Sequence, residues 1–361
     1  MDCFGAGRGG KERAWFARYI KISESDAAES SAVCLAGANK CPCEKQDKAS
    51  NKEDIMKFSP LFWPIQLKGN IIYILDETLL PQKCVYIKAK NYKDACKAIK
   101  EMKTRAVGQV LLVMYIFLQA IKQKKDLVVV AKAINATRPT LSFKTLTDMV
   151  LGWQKSRAPL EKCIYGFLEG LKYSRIKQAE EAAKLLKNGD CILTQCNVSG
   201  LLPLIAEIAL KQGKRVSFFA TETRPYMQGS RLTAWELQRA GFDVTIITDG
   251  MVAAVMSQGK VNKVIVGADH LALNGDIANK IGTYAIAVLA RYFNIPFYVL
   301  CPPASGLASG RDIKIEIRPD KEMLEYQGLK LAPKGVKGYY PAFDITPKGL
   351  ITKHIHLEIK R

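Results

Sequence analysis

The chain is 361 residues long, with 54 Lys and Arg against 34 Asp and Glu and a formal net charge of +20. That length can hold two domains with sizeable apolar cores, and no stretch reaches the roughly 18 to 20 apolar residues of a membrane span. The ten cysteines belong to no short secreted framework and the N-terminus has no apolar signal region, so reduced thiols in a cytoplasmic protein are expected.

Residues 1–55 hold nine Lys/Arg and nine Asp/Glu, which cancel, so the whole basic excess lies in 56–361. They are rich in Gly, Ala, Ser and charge, with an apolar period only around Trp15–Ile22, and read as a poorly ordered leader. Cys34, Cys41 and Cys43 suggest a metal clip, yet no second Cys or His pair completes four ligands, and no metal site is expected. Met56 is a candidate start for the functional unit. Downstream, the lysines are scattered rather than massed in one arm or interleaved with aromatics. No nucleic-acid-binding motif accompanies them, so no nucleic-acid partner is expected, whereas such a surface does attract small phosphorylated substrates.

Residues 56–172 read as a smaller mixed α/β domain. FSPLFWPIQL, GNIIYILDETLL and CVYIKAK have the alternation of strands. Lys93–Met102 is an amphipathic helix. Val107–Ile121, interrupted by Gly108, Gln109 and Gln119, is a buried helix rather than a membrane span. A longer helical region is expected over Leu141–Leu171. Arg138 precedes Pro139, a position biased against helix, so it belongs on a loop before a helix N-terminus, where it suits an anion.

Residues 173–361 change to regular alternation of strands and helices. Cys191–Gln195, Arg215–Ala220, Asp243–Thr248, Lys263–Ala268 and Pro296–Cys301 are short apolar runs rich in β-branched and aromatic residues. Helical segments at Leu201–Lys211, Arg231–Ala240 and Ile281–Phe293 separate them. This alternation predicts a Rossmann-like parallel sheet covered on both faces. No GxGxxG fingerprint and no P-loop is present, so no nucleotide cofactor is expected. His354 and His356 fall in what reads as a terminal tail.

In such sheets ligands bind outside the carboxyl ends of the strands. Cys196 and Asn197 follow the first strand of this domain, Glu222, Arg224 and Gln228 the second, and Asp269 the fourth, all on one rim. Gly267–Tyr284 reads as strand, loop and helix. The Asn274-Gly275-Asp276 turn lies in the loop, and Asn279 and Lys280 fall in the first helical turn, where a lysine suits a phosphate. A thiol near a helix N-terminus has a stabilised thiolate, and a carboxyl in an apolar pocket keeps its proton and can serve as an acid. His270 directly follows Asp269, and neighbours at a strand end face opposite ways, which disfavours a Cys196–His270 hydrolase.

Five stretches then carry a resemblance: INATRPT (Ile134–Thr140), ILTQCNVSG (Ile192–Gly200), ATETRPYMQGSRLTAWEL (Ala220–Leu237), Gly267–Tyr284 and PAFDITP (Pro341–Pro347). Together, in order over about 56–361, they resemble the methylthioribose-1-phosphate isomerase family. Its wider group includes ribose-1,5-bisphosphate isomerase and the regulatory subunits of the translation-initiation guanine-nucleotide exchange factor. The resemblance implies a homodimeric aldose–ketose isomerase of a sugar phosphorylated at its anomeric carbon, a pentose 1-phosphate, with no metal, nucleotide or other cofactor. It places the catalytic pair on Cys196 and Asp269 and the substrate contacts on Arg138, Gln228, Asn279 and Lys280.

Two departures stand out. Gln195 occupies the place of a histidine before the catalytic cysteine. The phosphate loop of the family, Arg-Gly-Ala-Pro-Ala-Ile-Gly, corresponds here to Arg105-Ala106-Val107-Gly108-Gln109, which keeps Arg105 as a phosphate contact but loses the adaptable glycine. A related pentose 1-phosphate substrate, or a regulatory subunit that senses sugar phosphates or nucleotides without turnover, therefore stays open alongside the isomerase.

Overall fold

The computed structural model describes residues 59–138 and 143–357; the leader 1–55 with Cys34, Cys41 and Cys43, Met56 and Pro139 lie outside them. In the N-terminal part, β1 (Ile65–Lys68), β2 (Ile71–Leu75) and β3 (Tyr86–Ala89) form an antiparallel sheet in that order. Helices α1 (Tyr92–Lys100), α2 (Val107–Lys122), α3 (Leu127–Asn135), α4 (Lys144–Lys155) and α5 (Leu160–Lys184) follow it. Asn91 starts α1 by accepting the N–H groups of Lys93 and Asp94. Helix α2 is apolar on nearly every side and forms the centre of this core. Its buried Gln119 is tolerated because its amide donates to the carbonyls of Asn70 and Ala89.

The helical region expected over Leu141–Leu171 is two helices, parted at Ser156–Pro159, and the second runs on to Lys184. Pro159, which lacks a backbone donor, stands at the start of α5 where none is needed. Ile164, Leu168 and Leu171 of α5 join the N-terminal core, while Ile176, Ala179 and Ala183 join the next one. A single long helix is thus built into both.

The second part runs β4 (Cys191–Thr194), α6 (Leu201–Lys211), β5 (Ser217–Thr221), α7 (Ala234–Arg239), β6 (Val244–Ile247), α8 (Val252–Ser257) and β7 (Lys263–Gly267). The hairpin β8 (His270–Leu271) and β9 (Ile277–Lys280), then α9 (Thr283–Tyr292) and β10 (Phe297–Cys301), come next. An excursion carries β11 (Ile317–Arg318) paired with β14 (Tyr340–Pro341), and β12 (Glu325–Tyr326) paired with β13 (Leu329–Lys330). The chain closes with β15 (Phe343–Thr346) and β16 (Lys353–His356).

Six of these strands make one parallel sheet in the order β16-β10-β7-β4-β5-β6. The protein is therefore α/β with a Rossmann-like sheet, as the alternation predicts. Alternate residues face opposite layers. Ile192, Phe218, Ile265 and Leu300 pack with α5 and α6, whereas Leu193, Val264, Val266 and Val299 pack with α8 and α9. The supposed tail is β16, an edge strand beside β10, whose short His-Ile-His alternation was too brief to read as one. No described helix is long and apolar enough to cross a membrane.

The chain moves one way from β4 through β5 to β6, and the other way from β7 through β10 to β16. Strand order thus reverses between β4 and β7, and a crevice opens at their carboxyl ends. After β5, Gly229–Thr233 forms a wide π turn ahead of α7, pressed against the strand it leaves. A Cβ on Gly229 would lie 1.7 Å from the Thr221 carbonyl oxygen, so only glycine fits. Gly229→Ala should lower stability by about 1–3 kcal/mol, the usual cost of overpacking. Urea unfolding measures it, and an unchanged midpoint would show that the turn has room.

Candidate active site

Cys196 lies two residues beyond β4 and Asp269 two beyond β7, the two strands that flank the switch point. Asn279 and Lys280 are not in the first turn of a helix, as their sequence position suggests, but end strand β9. Gly275, at φ +92°, makes the Asn274-Gly275-Asp276 segment a hairpin turn, so the chain pairs back instead of coiling. Strand β9 also pairs with β15, setting Asn279 opposite Asp344 and Lys280 opposite Phe343.

Lys280 is only 6 % exposed. Its ammonium donates to the Ala342 carbonyl at 3.0 Å and the Tyr340 hydroxyl at 3.3 Å. The rings of Phe343, Tyr340 and Tyr226 surround it at 4.8, 5.7 and 5.9 Å. Burial pulls its pKa down, against the attraction of Cys196 and Asp269. Those two groups shift the other way. Burial pushes the Cys196 thiol up, with Lys280 opposing and Asp269 adding to the rise. The stabilised thiolate expected from the sequence is therefore not present: Cys196 sits five residues ahead of α6, too far for the helix N-terminus to act on it.

Asp269 is exposed by surface area although protein crowds around its carboxyl. That crowding strips water from the carboxylate and raises its pKa, while Lys280, His270 and Arg138 pull it back. A carboxyl, a thiol and a caged lysine, each pushed toward its neutral form, thus share one electrostatic neighbourhood.

The remaining expected contacts converge unevenly. Gln228 is buried, and its Oε1 has no hydrogen-bond partner among the described residues. Asn279 donates to Thr283 Oγ1 at 3.0 Å. Arg105 reaches over from the N-terminal part, its guanidinium 4.5 Å from the Tyr226 ring centre. Arg138 donates to Gln109 Oε1 at 3.5 Å and pairs with Glu316 at 3.8 Å. The altered phosphate loop accounts for part of this, because Gln109 fills space behind it, its amide donating to Thr104 O. Ala106 itself stands at φ 43°, ψ −120°, a conformation suited to glycine.

Gln195, in the place of the histidine, donates to Ile281 O and accepts from Thr283 Oγ1, tying β4 to the start of α9. Asn197 and Arg224 are structural too: Asn197 holds Glu236 and Thr233, and Arg224 holds Met323 O. Arg318, on the excursion, has no recognisable motif; it donates to Tyr226 Oη at 2.9 Å and grips Glu316 and Glu322. Tyr226 lies inside a singled-out motif, but its role as a meeting point of three segments depends on contacts distant in sequence.

The profile of the initiation factor 2 subunit family matches residues 92–356. A methylthioribose-1-phosphate isomerase of Thermosipho melanesiensis is 39% identical over 312 residues, covering 79% of this chain and 90% of that protein. The enzyme of the same name from Fervidobacterium nodosum is 38% identical over 314 residues, with the same coverage. Among solved structures, the translation initiation factor eIF-2B subunit delta from A. fulgidus has a TM-score of 0.72 at 34% identity, covering 82% of this chain and 94% of its own. The 5-methylthioribose 1-phosphate isomerase from Pyrococcus horikoshii has a TM-score of 0.72 at 30% identity, covering 84% and 94%.

Beneath Arg105, the buried carboxyl of Glu77 accepts Thr104 Oγ1 at 2.6 Å and the Arg105 N–H at 3.1 Å through the same oxygen. Burial raises its pKa to about 7, with Thr104 and Arg105 opposing. Between the ordinary glutamate value of 4.5 and about 7 the folded protein therefore holds a proton that the unfolded chain has released. Stability falls with rising pH across that window. Glu77→Gln keeps the accepting oxygen and removes the titration. Its melting temperature relative to the wild type should climb between those pH values and then level off, and parallel curves would contradict the assignment.

Proposed function

The chain belongs to the initiation factor 2 subunit family, and on that footing we propose that it is an aldose–ketose isomerase converting 5-methylthioribose 1-phosphate to 5-methylthioribulose 1-phosphate in methionine salvage. The observation that carries this reading is the placement of Cys196 and Asp269 at the ends of β4 and β7, electrostatically coupled to the buried Lys280. The isomerases at 37–39% identity support the reaction class. The working unit is taken as a homodimer acting on a phosphorylated pentose.

With phosphate on the anomeric oxygen, the sugar has no free hydroxyl at C1 through which the ring opens. Asp269, its carboxyl biased toward the protonated form, gives its proton to the ring oxygen as the bond from that oxygen to C1 breaks. Hydrogen then moves from C2 to C1, and the C2 hydroxyl loses a proton to become the ketone. One proton gained and one lost leave an isomer. The thiol of Cys196, held neutral by burial, is a weak base. That favours direct transfer of the hydrogen as hydride over its removal as a proton, with the sulfur stabilising the positive charge that develops. Arg105, Arg138 and Lys280 are assigned to the phosphate and Asn279 and Gln228 to the sugar hydroxyls. The unpartnered Oε1 of Gln228 suits a hydroxyl donor.

A second reading is a regulatory subunit that senses a sugar phosphate or nucleotide without turnover. It draws on the likeness to the A. fulgidus structure and on the changed loop at Ala106. Incubation with methylthioribose 1-phosphate in deuterated water, followed by NMR, separates the two. The isomerase forms the ketose, and direct transfer leaves C1 free of solvent deuterium. Cys196→Ser and Asp269→Asn should each keep the fold and lose about 10²- to 10⁴-fold in kcat. Lys280→Ala should act mainly on KM, where a charge-assisted hydrogen bond contributes about 1.5–3 kcal/mol. Binding without product, equal in wild type and variants, would favour the sensor.

A further inference from the structure

Cys196 holds a backbone conformation that side-chain-bearing residues avoid, with φ at +62°. Such a conformation persists only where the surroundings fix it, and here both backbone polar groups of the residue are held. Its N–H donates to Thr223 Oγ1 at 2.9 Å, and its carbonyl accepts from Thr233 Oγ1 at 2.5 Å. Thr233 Oγ1 also accepts from the Asn197 side-chain amide at 3.0 Å. The second hydrogen of that amide goes to Glu236 Oε1 at 2.8 Å, and the Asn197 side-chain oxygen accepts the Ser199 N–H at 2.8 Å. One hydroxyl therefore fixes the carbonyl of Cys196 and orients the side chain that shapes the residues beyond it.

Thr233 is fully buried. It is the last residue of the wide π turn Gly229–Thr233, whose start is jammed against the end of β5. One residue added to a helix rotates everything after it by about 100°, since the helix has 3.6 residues per turn. The wide turn thus sets which side chains of α7 face the Cys196 loop, in keeping with the occurrence of such turns at functional sites.

We propose that Thr233 is a positioning residue for the Cys196 thiol, its hydroxyl holding the left-handed backbone that aims the sulfur at the crevice. The proposal rests on the reading of Cys196 as the reacting thiol. Thr233→Val removes the hydroxyl with little change of shape, while Thr233→Ser keeps the hydroxyl and loses the methyl. In the full chain, with methylthioribose 1-phosphate as substrate, Thr233→Val should lower kcat by about 10²-fold, the scale of a misplacement near 1 Å, with KM within about two-fold. Thr233→Ser should recover most of the loss. Alkylation of Cys196 by iodoacetamide, followed by peptide mass mapping across pH, should give a shifted profile for the valine variant and the wild-type profile for the serine one. Should the valine variant not fold, Thr233→Ala against Thr233→Ser makes the same comparison, since both lack the methyl and differ only in the hydroxyl. Equal kcat and alkylation profiles in the wild type and the hydroxyl-free variant would overturn the proposal, as would equal losses in the variants with and without the hydroxyl. A fully active Cys196→Ser would instead remove the catalytic reading, and the alkylation profiles would still decide whether Thr233 sets the thiol.

Discussion

The burial of one ammonium group organises this site. Lys280 lies among three aromatic rings with a carbonyl and a phenol as its neutral hydrogen-bond partners. Taking a charge from water is costly unless opposite charge or strong dipoles replace the solvent. The pressure is shared: Lys280 is pushed toward its neutral form and Cys196 and Asp269 toward theirs. An anionic substrate would relieve it, supplying the counter-charge that the protein withholds. On the proposed function, the same desolvation would favour phosphate esters over neutral sugars.

The fold delivers those groups by topology rather than by local sequence. Cys196 and Asp269 are 73 positions apart, from the numbering of the chain. They meet because strand order reverses between β4 and β7. Arg105 arrives from the N-terminal part, and Arg318 and Glu316 from the excursion beyond β10. Tyr226 receives all three directions, its ring under Arg105 and Lys280 and its hydroxyl accepting from Arg318 and donating to Glu322. No residue of 316–339 belongs to the described apolar clusters, so that part of the excursion is fastened to the site mainly through polar and charged groups.

Much of this was legible in the sequence. Short, nearly continuous apolar runs mark the central strands nearly to the residue, because strands buried on both faces of a parallel sheet are hydrophobic throughout. The strand-end positions of Cys196 and Asp269 followed from those runs. Asn279 and Lys280 were misplaced for a local reason: a short buried strand, Ile-Ala-Asn-Lys, has no period of its own, and the apolar helix just after it invites extension backward. The raised pKa of the Cys196 thiol has no local signature, because it depends on burial among groups far along the chain, Lys280 and Asp269 among them. Arg318 and Glu316 carry no sequence signal, and Thr233, though inside the stretch Ala220–Leu237, shows nothing of its role, since a clamp made through a backbone carbonyl or across an irregular excursion leaves no spacing to read.

The central claim is that Asp269 stands in the crevice as an acid. Carbon-13 labelling of the aspartate carboxyls, with the Asp269 resonance identified by its loss in Asp269→Asn, follows that group directly by NMR as pH is varied. The account predicts a carboxyl that titrates above the usual aspartate value of about 3.9. A resonance that titrates at or below that ordinary value would mean that Asp269 is an exposed carboxylate at neutral pH, unable to protonate a ring oxygen, and the account would fail.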